Sequence, residues 1–124
     1  MGDAYQAYGS QSQRALTGRL GEAHVFTEAA RLLHDARGTN DRAALVRALK
    51  HNLNLWTHVQ VELSADNHPM SESLKSDLLA LSVFVDRRTA EAIADPDPAL
   101  VDALVEINRN MAQGQMGGAP NSDA

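Results

Sequence analysis

The spacing of the apolar residues is the feature that most constrains how this 124-residue chain folds. These residues recur at steps of three and four, which places them on one face of a helix. Ala and Leu dominate among them, and both favour helix. We therefore predict an all-α fold, a small antiparallel bundle of about four helices. The predicted stripes are Leu16, Leu20, Ala23, Phe26, Ala30 and Leu33; Leu45, Leu49, Leu53, Trp56, Val59 and Leu63; residues 78–85; and Leu100, Leu104, Ile107 and Met111.

The first two helices are separated by a short polar stretch. Gly38 is expected to end the first helix, at the position where a left-handed residue often closes one. One of residues 39–41, Thr-Asn-Asp, then supplies a side-chain oxygen that caps the second helix. The second helix is the most periodic segment, and we predict that it runs from about Asp41 to Leu63.

Two proline-containing stretches separate the remaining helices. Residues 66–69, Asp-Asn-His-Pro, are expected to end the second helix because proline lacks an amide proton. Ser71 is the expected N-cap of the third helix. In residues 95–98, Asp-Pro-Asp-Pro, Asp97 suits the cap and Pro98 suits the first position of the fourth helix. Short connections of this kind favour antiparallel packing of successive helices.

The chain is long enough for one hydrophobic core, and we predict a single domain. Residues 1–15 and 114–124 are rich in small and polar residues without apolar periodicity. We expect the first of these segments to be a flexible N-terminal arm and the second a disordered C-terminal tail. The helical bundle is then predicted to occupy residues 16–113. In residues 78–85 the third helix is apolar almost all round, so we expect it to lie at the centre of the bundle.

Composition and charge narrow the function. The chain has no cysteine and no glycine-rich phosphate loop or nucleophile elbow, so we predict a protein that is not an enzyme and uses no cofactor or metal. Its net charge of −5 argues against nucleic-acid binding. No signal peptide or membrane-spanning run is recognisable, and we expect a cytoplasmic protein without membrane insertion.

The charge is unevenly distributed. Residues 1–60 carry 7 Lys and Arg against 5 Asp and Glu, whereas residues 61–124 carry 4 against 11. The acidic half either attracts a basic partner, pairs with the N-terminal half, or is a solvated surface.

Several polar residues interrupt the apolar stripes. Arg87 and Arg88 follow the most apolar run, and a guanidinium there suits either a partner or an internal salt bridge to the acidic fourth helix. Trp56 suits either the core or a binding hot spot. Asn108 lies in the middle of the fourth helix, where a specific hydrogen bond should compensate for its low helix propensity. The sequence leaves the location of that partner open.

Four stretches resemble the FlaF family of flagellar proteins, and they occur in the same order as in that family. They are Ala4-Tyr5-Gln6; Leu49-x-x-Asn52-x-x-x-Trp56; Leu78-x-x-Leu81-Ser82-Val83-Phe84-Val85-Asp86-Arg87-Arg88-Thr89; and Leu104-Val105-Glu106-Ile107-Asn108-Arg109-Asn110-Met111-x-x-Gly114. The last two stretches are the most specific.

The resemblance implies a protein that supports flagellin synthesis or secretion, with flagellin and the flagellin regulator FlbT as partners. We expect an export chaperone or adaptor that holds an amphipathic segment of flagellin in an apolar groove. Regulation of flagellin expression through FlbT is one alternative, and a structural homo-oligomer is another. The residues predicted to bind a partner are Asn52, Trp56, Phe84, Arg87, Arg88, Thr89, Ile107, Asn108, Arg109 and Met111. Of these, Trp56, Phe84, Ile107 and Met111 are expected to line the groove.

Overall fold

The computed structural model describes residues 23–65 and 70–114, and within these ranges it contains four helices and no strand. The helices are α1 (Ala23–Arg37), α2 (Arg42–Leu63), α3 (Glu72–Ala94) and α4 (Pro98–Ala112). The predicted all-α bundle is confirmed. The predictions for the arm at 1–15, for Leu16 and Leu20, for the break at 66–69 and for the tail beyond Gly114 lie outside the described residues.

The four helices form a closed ring. The most extensive packing is between α1 and α4 and between α2 and α3, and smaller contacts join α1 to α2 and α3 to α4. Neighbouring helices run antiparallel. Arg42, at the start of α2, reaches the backbone carbonyl of Ala94 at the end of α3. Arg37, at the end of α1, forms a salt bridge of 2.7 Å with Asp102 near the start of α4.

The predicted stripes meet inside the ring. Phe26 of α1 and Trp56 of α2 pack edge to face, with ring centroids 5.7 Å apart. Such aromatic pairs are favoured beyond the area that they bury. The largest fully buried apolar side chains come from all four helices: Phe26, Leu33, Leu49, Trp56, Val59, Leu63, Leu78, Val85, Val101, Leu104 and Met111.

Helix caps form where the sequence predicts them. The Asp41 carboxylate accepts hydrogen bonds from the backbone amides of Ala43 and Ala44. Ser71 and Asp97 cap α3 and α4 in the same manner, and Pro98 occupies the first turn of α4. These oxygens satisfy amides that have no partner inside the helix. The first residues of α2, α3 and α4 follow from these N-caps.

Two glycines depart from expectation. The first helix does end before Gly38, but this glycine is not left-handed. Thr39 closes the turn instead, because its hydroxyl donates to the carbonyl of Ala36 at 2.7 Å. The left-handed glycine is Gly114, with φ of 77°, immediately after α4. Gly114 therefore belongs to the end of the bundle and not to the predicted tail.

The prediction that α3 lies at the centre is wrong. Val83 and Phe84, in its most apolar stretch, are 50% and 42% exposed. In a ring of four helices each helix has an outward face, and no described element covers that of α3. The apolar run therefore supplies core on one side and an open apolar surface on the other.

Replacing Asp41 by Ala removes both capping hydrogen bonds from the start of α2. We expect the free energy of unfolding to fall by about 1 kcal/mol, the usual effect of losing an N-cap oxygen. Urea denaturation followed by circular dichroism measures this change. Asn40→Ala, at the neighbouring exposed position, is the matched control and should change stability by less than about 0.5 kcal/mol. Equal effects of the two substitutions would contradict the capping role.

Candidate partner-binding site

Four of the ten predicted residues form one buried chain of hydrogen bonds. The Trp56 indole donates from Nε1 to Oδ1 of Asn108 at 2.9 Å. Asn108 donates from Nδ2 to Oδ1 of Asn52 at 2.7 Å. Asn52 in turn donates from Nδ2 to the Thr89 hydroxyl at 3.2 Å, and that hydroxyl donates to the backbone carbonyl of Val85 at 2.6 Å. We call Asn52, Trp56, Thr89 and Asn108 the polar chain.

The polar chain joins α2, α3 and α4 inside the core. All four of its side chains are 0% exposed. Buried polar groups are stable only when they are hydrogen-bonded, so each member requires the others in place. The chain therefore fixes how the three helices are aligned along one another. The hydrogen bond that the sequence requires for Asn108 is internal to the fold.

The burial of Trp56 and Met111 contradicts the prediction that they line an open groove. Trp56 cannot line an open surface because its ring is enclosed between α1 and α4. Met111 is also in the core, at 1% exposed, and Ile107 is only partly buried against that core. The buried face of α4 packs against α1 and contributes to the core. This face is therefore not available to line a groove. Arg109 is exposed in the last turn of α4, where a positive charge is favoured by the helix dipole.

The remaining predicted residues lie on the outward side of α3. Phe84 is exposed, and the Arg88 guanidinium carbon lies 4.8 Å from the centre of its ring. Arg88 also forms a salt bridge of 3.0 Å with Glu91, one turn along the same helix. Of the two alternatives for this arginine, a salt bridge to the fourth helix is not the one observed, because Arg88 pairs with Glu91 of its own helix. Arg87 is exposed, one turn after Val83 and Phe84.

These side chains form one surface. Residues three or four apart on a helix are neighbours, so Val83 adjoins Arg87, and Phe84 adjoins both arginines. We call Val83, Phe84, Arg87 and Arg88 the α3 surface. It combines an aromatic ring, an aliphatic side chain and two guanidinium groups, and aromatic residues and arginine are enriched in protein interfaces.

Asp86 lies beside the α3 surface at the contact with α2. Gln60 of α2 donates from Nε2 to its Oδ2 at 2.7 Å. Its other oxygen, Oδ1, is buried and has no hydrogen-bond partner. Burial raises the pKa of the Asp86 carboxyl, and the hydrogen bond from Gln60 opposes this shift in part. The sequence analysis did not select Asp86 as a site residue, although an acid directly after the apolar run 78–85 was a usable signal.

A second open region lies between α1 and α2, where a groove of about 490 Å³ runs along the two helices. Its lining combines three alanines and a leucine with the charged side chains of Asp35 and Arg47. The sequence analysis missed it, because alanines on a helix give no sign of the gap that they leave. The groove is lined by Leu32, Asp35, Ala36, Thr39, Ala44, Arg47, Ala48 and His51.

A comparison with protein families identifies the chain. A family model described as flagellar protein FlaF matches residues 4–115, which include the polar chain and the α3 surface. The chain belongs to the FlaF family. No curated protein and no solved structure matches it. The resemblance noted in the sequence is thus confirmed, and the FlaF-family protein described here is a flagellar protein.

None of the FlaF-family helices α1 to α4 combines the length and apolarity that a bilayer-spanning helix requires. Residues 23–65 and 70–114 contain no group of three or more His, Asp or Glu side chains arranged to hold a metal ion.

Replacing Asn108 by Ala in the FlaF-family protein leaves the Trp56 indole without an acceptor and Asn52 without a donor. Each unpaired buried group costs about 1 to 3 kcal/mol, so we expect a loss of about 3 kcal/mol in the free energy of unfolding. Chemical denaturation measures this loss. Glu106→Ala, on the exposed face of the same helix, is the control and should stay within about 0.5 kcal/mol of the parent. A small effect of Asn108→Ala would show that the polar chain does not stabilise the bundle.

The raised pKa of Asp86 should make the stability of the folded protein depend on pH. The folded protein holds a proton on this carboxyl at higher pH than the unfolded chain does, where the pKa is near 3.8. The ionised carboxylate therefore destabilises the fold at neutral pH, and that effect disappears as the pH falls through the folded-state pKa. We expect the stability of Asp86→Asn relative to the parent to decrease as the pH falls from 7 towards 4.

Carbon-detected NMR titration of the Asp86 carboxyl measures its pKa directly. Gln60→Ala removes the opposing hydrogen bond and should raise the pKa further. A parent pKa at or below 3.8 would contradict the assigned effect of burial.

Proposed function

We propose that this FlaF-family protein binds flagellin in the cytoplasm through the α3 surface, keeps the subunit unpolymerised until export, and thereby supports flagellin synthesis and secretion. The family match supports a role in the flagellum. The link to flagellin comes from the family resemblance noted in the sequence. The observation that carries the choice of surface is the exposure of Phe84, at 42%, beside two arginines.

The exposed aromatic ring favours a binding role over a structural one. Phe84 points away from the core, so the hydrophobic free energy of burying its exposed surface does not contribute to folding. A partner that covers the ring gains this free energy on binding, and the neighbouring arginines supply directional hydrogen bonds to that partner. An amphipathic helix suits such a surface. Its apolar side offers aliphatic side chains to Phe84 and Val83, and the polar residues beside that side can contact the arginines.

The buried polar chain supports this role indirectly. Thr89 of α3 accepts a hydrogen bond from Asn52 of α2, and Asn52 is also bonded to Asn108 of α4, so the inner side of α3 is held in place. The outer side is then presented on a fixed backbone. A preorganised surface binds more tightly because less ordering is needed on association.

Phe84→Ser and Arg87→Glu test the proposal. Each removes a central contact of the α3 surface, and we expect each to weaken binding of purified flagellin by about 30-fold, or about 2 kcal/mol, as at interface hot spots. Isothermal titration calorimetry with monomeric flagellin gives the affinities. Arg47→Glu makes the same charge change in the groove between α1 and α2 and should bind as the parent does. Circular dichroism of each variant verifies that the bundle is folded.

Absence of any complex between the parent protein and flagellin at micromolar concentration would remove the proposal. Equal binding by Phe84→Ser, Arg87→Glu and the parent would move the contact away from α3 while leaving flagellin as the partner.

Regulation through FlbT is the second candidate, and the groove between α1 and α2 favours it. This groove gives a regulator a contact site that shares no residue with the α3 surface. Cells that carry Arg87→Glu, in the α3 surface, and cells that carry Arg47→Glu, in the groove, distinguish the two functions. Loss of flagellin secretion with an unaltered transcript lifetime in Arg87→Glu cells supports the chaperone function, whereas a changed transcript lifetime in Arg47→Glu cells supports regulation. Sedimentation at high concentration tests the structural homo-oligomer, which a strictly monomeric protein would exclude.

A further inference from the structure

Among the described acidic side chains, that of Asp86 has a buried oxygen without a hydrogen-bond partner. Its side chain is partly buried between α2 and α3, and it accepts one hydrogen bond, from Gln60. The oxygen Oδ1 is enclosed but unpaired. Within residues 23–65 and 70–114, no Lys, Arg or His forms a salt bridge with it. A carboxylate removed from water in this way is stabilised when a positive charge approaches.

An exposed valine lies close in sequence to each partner of the Gln60–Asp86 contact. Val83 lies one turn before Asp86 on α3 and is 50% exposed. Val61 directly follows Gln60 on α2 and is 66% exposed, the most exposed large apolar side chain among the described residues. The Gln60–Asp86 hydrogen bond of 2.7 Å thus has an exposed valine near it along the sequence of each helix. We call Gln60, Val61, Val83 and Asp86 the α2–α3 seam.

The seam is continuous with the α3 surface, since Val83 belongs to both. A partner helix that covers Phe84 and Arg87 therefore also reaches Val83 and the contact with α2. A partner that covers this region removes water from the carboxylate and strengthens its attraction to a cation, because the effective dielectric constant falls. A basic side chain flanked by apolar neighbours is complementary to an acid with exposed valines near it.

We propose that the α2–α3 seam receives a basic side chain, Arg or Lys, carried between apolar residues on the bound flagellin segment, and that Asp86 is its counter-ion. This inference rests on the proposed function and adds the charge and position of one partner residue. On binding, the Asp86 side chain turns towards the surface and pairs with the incoming cation, while Val61 and Val83 cover the aliphatic part of that side chain.

Calorimetric titration of monomeric flagellin tests the seam with Asp86→Asn, which keeps the shape and removes the charge. We expect affinity to fall about tenfold at 0.15 M salt, and the salt dependence of binding to become weaker, because an ion pair is lost. Val61→Ser should weaken binding as well. Glu106→Gln, which removes an exposed charge on α4, is the matched control and should leave the affinity unchanged.

A second readout separates a cation from simple burial. Carbon-detected NMR of the Asp86 carboxyl in the complex should show a lower pKa than in the free protein, since a nearby positive charge favours the carboxylate. A pKa that rises further on binding would overturn the inference, because the partner would then bury the acid without pairing with it. Binding by Asp86→Asn within twofold of the parent would overturn it too. In both cases flagellin binding itself stands, whereas a parent protein that forms no complex removes the proposed function and this inference together.

Discussion

The hydrogen-bonded chain from Trp56 to Thr89 is the constraint on which the rest of this structure depends. Apolar stripes bring helices together but tolerate sliding by a turn, because one leucine packs much like another. Directional bonds do not tolerate it. The indole of Trp56 meets Asn108 at 2.9 Å in one alignment of α2 and α4 only. Asn52 extends the same requirement to α3, so three helices share a single register.

The FlaF family match includes the residues of the polar chain, and in the sequence they look like binding residues. Trp, Asn and Thr are polar enough to suggest an interface, yet here they face one another. Their role is to hold α3, whose outward-pointing side chains remain exposed. Core and surface functions thus alternate along one short stretch, with Val85 and Thr89 inward and Phe84 and Arg87 outward.

Much of the fold could be predicted from local signals. Asp41, Ser71 and Asp97 cap helices where expected, because capping depends on a few adjacent residues. The partner of Asn108 could not be predicted, because it lies 56 residues away on another helix. The exposure of Phe84 was also hidden. A run that is apolar all round indicates a helix covered by neighbours on every side. Whether it is covered depends on the number of helices packed around it, and in a ring of four helices one side stays open.

The candidate site was predictable in the same uneven way. The arginines after the apolar run were identifiable, because charge next to a hydrophobic segment has few uses. Gln60 and Val61 were not, since they gain meaning only from the packing of α2 against α3. A residue that lies off the apolar stripe reads as ordinary surface until the neighbouring helix is known.

The closing of the ring by α1 and α4 also affects how the protein is made. The first described helix has its most extensive contacts with the last one, and the Arg37–Asp102 pair spans 65 positions of the chain. On the ribosome, α1 emerges long before its main neighbour exists, whereas α2 and α3 become available to each other much earlier. The α2–α3 hairpin can therefore form during translation, whereas the contact between α1 and α4 forms only after α4 has been made.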